Sequence, residues 1–457
     1  MKRVSLYLIT LIPFIAFPDI SYSQCADTFF KIKPYYYLVP HNSRSWRIAL
    51  GDLDSDNDLD VFIVNRKKAN KIWFNEGADV FTESEQSVFT ESNQSLGEAS
   101  SNNEGISLGD LDQDGDLDAF IINSGQPNTV WFNNGIGFFS DSGQALGYSE
   151  SKGGALGDLD NDGDLDAFVA NSRYAIEAAN KIWLNDGTGV FVDSGQALGD
   201  SESKAISIGD LDNDGDLDAF VANDQQPNTI WLNNGTGTFI NSGQLLGFSG
   251  SQDVSLGDID NDKDLDALVA NSFGHNRIWL NDGTGTFSDS GQILSSLSTK
   301  SVSLSDLDND GDLDAFVAND GFGKGELNTI WFNEGMGIFI KGENSFIKNS
   351  FISSGQLYYD DASADVALGD LDNDGDLDAF VANSPYKIWF NNFICNQTIT
   401  ENLPIEAANK DCAQVTEIPF TECVPLVTLY GGSIADAPCK LRSVECSEGH
   451  ITRFSSF

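Results

Sequence analysis

An all-β, seven-bladed propeller is the fold this 457-residue sequence predicts, and three observations predict it. A nine-residue acidic motif, typified by DLDNDGDLD, recurs seven times at a mean spacing of ~53 residues, close to the length of a propeller blade. Each copy is followed by the same short β-branched and aromatic segments, separated by Asn-Gly or Asp-Gly turns, a strong hairpin signal. The seventh copy lacks its last segment, and a similar segment precedes the first copy.

From the N-terminus, Lys2 and Arg3 precede an apolar run over residues 4–17 and a polar stretch ending in Ser23 and Gln24. This is the layout of a secretory signal peptide, assigned to residues 1–24, and it predicts a secreted or cell-surface protein. Pro13, Pro18 and the short apolar run argue against a retained anchor, so no membrane span is expected after signal removal. Tyr22 and Gln24 argue against lipidation of Cys25.

The propeller is assigned to residues 25–392. In one unit, Ala205, Ile206, Ser207 and Ile208 lead into the acidic loop; AFVAN (219–223), NTIWLN (228–233) and a segment with Phe239 follow. All four read as strands. Trp73, Trp131, Trp183, Trp231, Trp279, Trp331 and Trp389 share one place in the repeat, and Phe81, Phe139, Phe191, Phe239, Phe287 and Phe339 lie eight residues further on. Eight residues after Trp389 stands Gln397 instead. Asp27, Thr28 and Phe29 resemble Gly285, Thr286 and Phe287, so the N-terminus is expected to complete the last blade and close the ring. A Cys25 to Cys395 disulfide would staple that closure.

Composition narrows the function. The formal charge is −45, from 70 acidic and 25 basic residues, and no basic patch exceeds Arg66, Lys67 and Lys68. Nucleic acid is therefore not an expected partner, because phosphate binding needs clustered positive charge. With 40% hydrophobic and 11% aromatic residues the chain is also not a disordered acidic tail. The seven loops hold 35 Asp and one Lys, so −34 of the −45 lies in them.

Each loop places Asp at positions 1, 3, 5 and 9, with Gly commonly at position 6. The candidate metal ligands are Asp52, Asp54, Asp56 and Asp60; Asp110, Asp112, Asp114 and Asp118; Asp158, Asp160, Asp162 and Asp166; Asp210, Asp212, Asp214 and Asp218; Asp258, Asp260, Asp262 and Asp266; Asp306, Asp308, Asp310 and Asp314; and Asp370, Asp372, Asp374 and Asp378. Two carboxylates roughly 5 Å apart repel by ~0.8 kcal/mol in bulk water and about four times more at an effective dielectric near 20. A compact loop with four of them calls for a cation. Ca²⁺ takes six to eight oxygens and accepts a backbone carbonyl from position 7, whereas Mg²⁺ usually retains waters and Zn²⁺ wants His or Cys. Up to seven Ca²⁺ are expected. The loops are not EF-hands, since position 12 is apolar, as at Val169, Val221 and Val317. Asn57 and Lys263 replace the position-6 Gly; Lys263 adds backbone strain and an ammonium near the ion, which makes the fifth site the weakest.

These motifs resemble the FG-GAP and VCBS repeats of integrin α-subunit propellers and their bacterial relatives, over roughly residues 25–392. The resemblance implies a seven-bladed propeller with Ca²⁺ in the loop between the first two strands of each blade, held by the four Asp of each copy. It also implies adhesion or ligand binding. Integrin propellers carry such loops in only some blades, whereas all seven have them here.

Length varies most on the face opposite the acidic loops: residues 174–179 and 321–327 enlarge two hairpins, and 82–89 and 341–351 two connections. A partner, an extracellular protein or glycan, is expected there. No enzyme is expected: His41, His275 and His450 share no motif, and no nucleophile elbow, zinc-binding or phosphate-loop signature occurs. A calcium-dependent polysaccharide lyase is the alternative, since related repeats occur in such enzymes, and a structural spacer is a third reading.

Residues 393–457 form a small Cys-rich segment with Cys412, Cys423, Cys439 and Cys446. Six Cys in an exported chain read as disulfides. Residues 425–453 resemble the N-terminal cap of extracellular leucine-rich repeats, without the repeats. Cys412 with Cys423, and Cys439 with Cys446, are the expected pairs.

Overall fold

The computed structural model describes residues 30–31, 45–77, 89–97, 101–173, 179–294, 298–320, 328–333, 335–341, 363–382, 386–391, 441–447 and 450–456. The chain divides into two compact units, Thr28–Ile394 and a second made of Met1–Asp27 with Cys395–Phe457. In the second, Leu441–Ser447 pairs antiparallel with His450–Ser456. Cys25, Cys395, Cys412, Cys423 and Cys439 lie outside the described residues, and with them the three expected disulfides and the signal peptide. Among the described residues there is no helix, and hence none long and apolar enough to cross a membrane.

The first unit is the seven-bladed propeller. Its first blade pairs Ser45–Gly51, Asp60–Asn65, Lys71–Asn75 and Phe89–Glu91 in sequence order, all antiparallel. The sixth repeats this with Thr299–Ser305, Asp314–Asn319, Thr329–Asn333 and Phe339–Lys341. Every residue of the second strand is buried, as in Asp166–Asn171, because blades pack against both faces of the sheet. That is why AFVAN is continuously apolar rather than alternating. In blades two and four the second and third strands run on as single strands, Asp118–Phe132 and Asp218–Leu232, which also pair with the incoming connection of the next blade.

The first strands adjoin one another around the axis, and Asp365–Gly369 of the seventh blade lies beside Ser45–Gly51 of the first. The core sits between blades. Leu159, Phe168, Ala170 and Ile182 of the third pack against Ile206, Val221, Trp231 and Phe239 of the fourth. Phe168 meets Phe239 edge-on with ring centroids 5.2 Å apart, and Phe62 meets Phe139 at 5.5 Å. The same contact closes the ring, where Phe89 meets Phe380 at 6.2 Å.

Two register expectations are corrected. The closing strand is Phe30–Lys31, with Phe30 opposite Asn391, so Phe30 and not Phe29 takes the place that Phe287 holds opposite Asn281. In the first blade Phe89, opposite Asn75, is the outer-strand aromatic. Phe81 lies outside the described residues; in sequence, 76–88 separate this blade's third strand from its fourth, so 82–89 is not a connection between blades.

Candidate metal centres

Each acidic loop joins the first strand of a blade to the second, and its backbone is shaped by left-handed residues. Position 4 has φ near +60°, as at Asn161 (60°) and Asn309 (57°), and Asn suits this region among non-glycine residues. Position 6 lies at 93° to 99° where it is Gly; Asn57 and Lys263 hold the same region at 72° and 80°. Lys263 thus adopts the glycine conformation and donates its N–H to Asp258 Oδ2 at 3.0 Å, but Asp258 Oδ1, whose counterpart in the other loops accepts the position-5 N–H, is buried without a partner here.

The structure brings positions 1, 3 and 9 together. Carboxylate oxygens of Asp52, Asp54 and Asp60 lie within 4.8 Å of one another, as do those of Asp110, Asp112 and Asp118, of Asp158, Asp160 and Asp166, and of Asp210, Asp212 and Asp218. In the fifth loop the trio is Asp258, Asp260 and Asp262. Position 5 is turned elsewhere in part, since Asp56 Oδ1 accepts the Asp58 N–H at 2.9 Å and Asp162 Oδ1 that of Asp164 at 3.1 Å.

The three central carboxylates have different occupations. Position 1 caps the loop: Asp158 accepts the N–H groups of Asp162 and Gly163, each at 3.0 Å. Position 9 is buried, and both its oxygens are engaged. Asp166 Oδ2 accepts from Leu159 N at 3.0 Å and Oδ1 from Asn185 N at 2.7 Å, tying the loop to the end of the third strand. Position 3 is the one left over. The Oδ1 atoms of Asp54, Asp112, Asp160, Asp212, Asp260 and Asp308 are buried without a hydrogen-bond partner.

Such an atom is costly unless a proton or cation meets it. Burial, then the charges of Asp56 and Asp52, push Asp54 up to about 6; burial, then Asp310 and Asp306, push Asp308 up to about 7. At position 9, burial pushes Asp60, Asp118 and Asp166 up to about 7 and Asp314 and Asp378 to about 8, against the lowering effect of their backbone donors. An all-oxygen anionic set with a buried, unpaired position-3 oxygen in six of the loops fits a hard metal ion.

Three sets of residues around these loops escaped the sequence reading. The last Asn of each third strand donates to the position-2 carbonyl of the preceding loop: Asn133 to Leu53, Asn185 to Leu111, Asn233 to Leu159, Asn281 to Leu211 and Asn391 to Leu307 at 2.8 Å, and Asn333 to Ile259 at 2.7 Å. Asn75 completes the circle on Leu371 at 2.9 Å. The position-4 amide reaches the position-7 carboxylate of the next loop, as from Asn161 to Asp216 at 2.7 Å. Finally, Gln196 clamps the next blade, donating to the Gly237 carbonyl at 2.5 Å and accepting the Phe239 N–H at 2.9 Å; Gln144 and Gln244 do the same. In four blades a Ser-Gly-Gln run ends five residues after the outer-strand Phe, as at Ser194, Gly195 and Gln196 after Phe191, and this was the available signal.

At the opposite end of the first strands from the acidic loops, charged residues stand at bulges and pair with one another. Trp46, Glu104, Lys152, Lys204 and Lys300 each occupy the extra residue of a β-bulge in a first strand. The Arg66 guanidinium stacks 3.1 Å from the Trp46 ring centroid and pairs with buried Glu104, so the expected basic cluster is partly consumed internally. Lys204 pairs with Glu202 at 2.9 Å and Lys300 with Asp320 at 3.4 Å.

A sequence model described as the FG-GAP-like repeat matches residues 52–121, 110–169, 158–221, 210–269, 258–317 and 306–381. Among solved structures, BBS1N in complex with ARL6DN, soaked with lead, has 11% sequence identity and a TM-score of 0.53, over 80% of this chain and 97% of that one. The same complex soaked with mercury gives 11% and 0.53, over 80% and 98%. At that identity the likeness is one of fold. No curated protein matches the chain.

Proposed function

Since the chain belongs to the FG-GAP-like repeat family, we propose that it is a calcium-stabilised propeller, secreted or held at the cell surface, that binds an extracellular protein or glycan without turning it over. The observation that carries the calcium reading is the buried, unpartnered Oδ1 atom of the position-3 Asp in six loops. Positions 1, 3, 5 and 9, with the position-7 carbonyl, would hold the ion in each loop. When bound it supplies charge neutralisation and cross-linking of the loop rather than a reaction. The chain's own residues do the rest. Position 9 ties each loop to its blade, and the third-strand Asn ties it to the neighbouring blade.

Seven near-identical acidic loops argue for a repeated structural role, because a catalytic centre has no reason to recur in every blade. We infer that the ligand docks on the opposite face; half-buried Lys152, Lys204 and Lys300, paired there with Glu104, Glu202 and Asp320, support it as a charged surface. Calcium titration of the purified chain, with melting in chelator and in millimolar Ca²⁺, tests the metal; an unchanged melting temperature rejects it. A glycan array run beside an unsaturated-uronate assay tests the rest. Binding without turnover supports the module, turnover the lyase, and neither a spacer.

A further inference from the structure

We propose that the seven acidic loops take up cations as one coupled series around the ring, each loop from the second onward positioning the next through the amide at its fourth position; this rests on the calcium reading above. Asn161 Nδ2 donates to Asp216 Oδ1 at 2.7 Å, Asn213 to Asp264 at 2.8 Å, Asn261 to Asp312 at 2.6 Å and Asn309 to Asp376 at 2.8 Å. Gln113 makes the same bond to Asp164, and Asn373 makes it to Asp58, so the chain of contacts runs from the second loop round to the first. One link is missing. Position 4 of the first loop is Ser55, and among the described residues no hydrogen bond joins it to Asp116.

The donor and the acceptor both sit where the cation would act. Position 4 lies between ligand positions 3 and 5, in a left-handed conformation that a compact loop requires. Position 7 is the residue whose carbonyl would complete the next site, and its N–H already donates to position 5, as Asp216 does to Asp214 at 2.9 Å. Its carboxylate lies against the turn between the third and fourth strands: a Cβ on Gly235 would fall 2.6 Å from Asp216 Oδ1. The position-7 residue is therefore held from three directions, one of them the preceding loop.

Without a cation the carboxylates of one loop repel and resist compaction. Compaction of loop three fixes Asn161, and Asn161 then holds Asp216 in place for loop four. The preceding site has already met part of the ordering cost of the next, which is positive coupling. The position-4 amides and position-7 carboxylates are positioning residues in this scheme. The order is directional, from the second loop to the seventh and on to the first, with an open end between Ser55 and Asp116.

The test is calorimetric titration of the whole chain with calcium chloride, comparing the native protein with Asn161→Gly, Asn161→Asp and Ser55→Asn. Glycine removes the amide while suiting the left-handed backbone, and aspartate keeps the size but repels Asp216. Each lost link is expected to weaken half-saturation about two- to fivefold, the worth of one hydrogen bond, and to flatten the binding slope. Ser55→Asn supplies the missing donor and is expected to steepen the slope and lower the half-saturation concentration. Circular dichroism in saturating calcium verifies that every variant keeps its sheet. Calcium bound with the same slope and midpoint in all four proteins overturns the coupling and leaves the calcium reading standing. No calcium bound by the native chain overturns both.

Discussion

The Nδ2 of Asn75 lies 2.9 Å from the carbonyl oxygen of Leu371, a bond that spans 296 residues of sequence and joins the first blade to the seventh. The backbone N–H of the same Asn75 donates to Asp60 Oδ1 at 2.8 Å. One residue thus fastens its own acidic loop and that of the preceding blade.

Asn75→Ala is expected to destabilise the chain by ~1–3 kcal/mol, because it leaves a buried carbonyl unpaired. Asn233→Ala, whose bond to Leu159 at 2.8 Å links two interior blades, should cost about as much. Chemical denaturation measures both. A loss under ~0.5 kcal/mol at Asn75 would show that the ring does not depend on this seam.

Gln196→Ala removes one donor and one acceptor between the fourth blade's turn and its neighbour, at Gly237 and Phe239. The expected loss is ~1–2 kcal/mol, with amide exchange at Phe239 accelerated ahead of global unfolding. Unchanged exchange there would reject the clamp.

The pH dependence of the metal-free chain follows from the position-9 carboxylates. Asp60 and Asp166 are pushed up to about 7, and Asp314 to about 8, chiefly by burial. An unfolded Asp titrates near ~4, so the folded state holds more protons between about pH 4 and pH 8. That contribution is fully present below the unfolded value and is lost as pH rises through the folded ones. In chelator, melting should therefore fall between about pH 5 and pH 8; in excess calcium the fall should shrink or reverse. A chelated protein equally stable at both pH values contradicts the burial argument.

Lys263→Gly should tighten calcium binding at the fifth loop, because the ammonium is removed and the residue at φ 80° becomes one that accepts that region. Lys263→Met separates the causes, removing the charge and keeping the strain. Calorimetry resolving the weakest site should rank Gly above Met and Met above Lys. Equal binding by all three would show that position 6 does not set the affinity.

The blade plan was legible because each element is a local pattern. AFVAN with its flanking turns reads as a strand wherever it occurs, and Asp at positions 1, 3, 5 and 9 reads as an oxygen cage from spacing alone. Equal spacing misled at Phe81, since extra residues moved the outer strand to Phe89, and closure by similarity missed the register by one residue, choosing Phe29 over Phe30. Asn161 gave no warning either. Its side chain acts on a residue 55 positions away, and nothing local marks an amide as bridging two loops.

The sequence by itself determined the number of blades, the strands within each and the seven acidic loops, because these depend on alternation, turn chemistry and charge within a few residues. Only the tertiary structure decided which carboxylate keeps an unpaired buried oxygen in six of the loops, which one anchors the third strand, and which side chains pass from blade to blade. Those depend on groups brought within hydrogen-bond distance by the closure of the ring, and a bond of that range is set by geometry that no stretch of sequence carries alone.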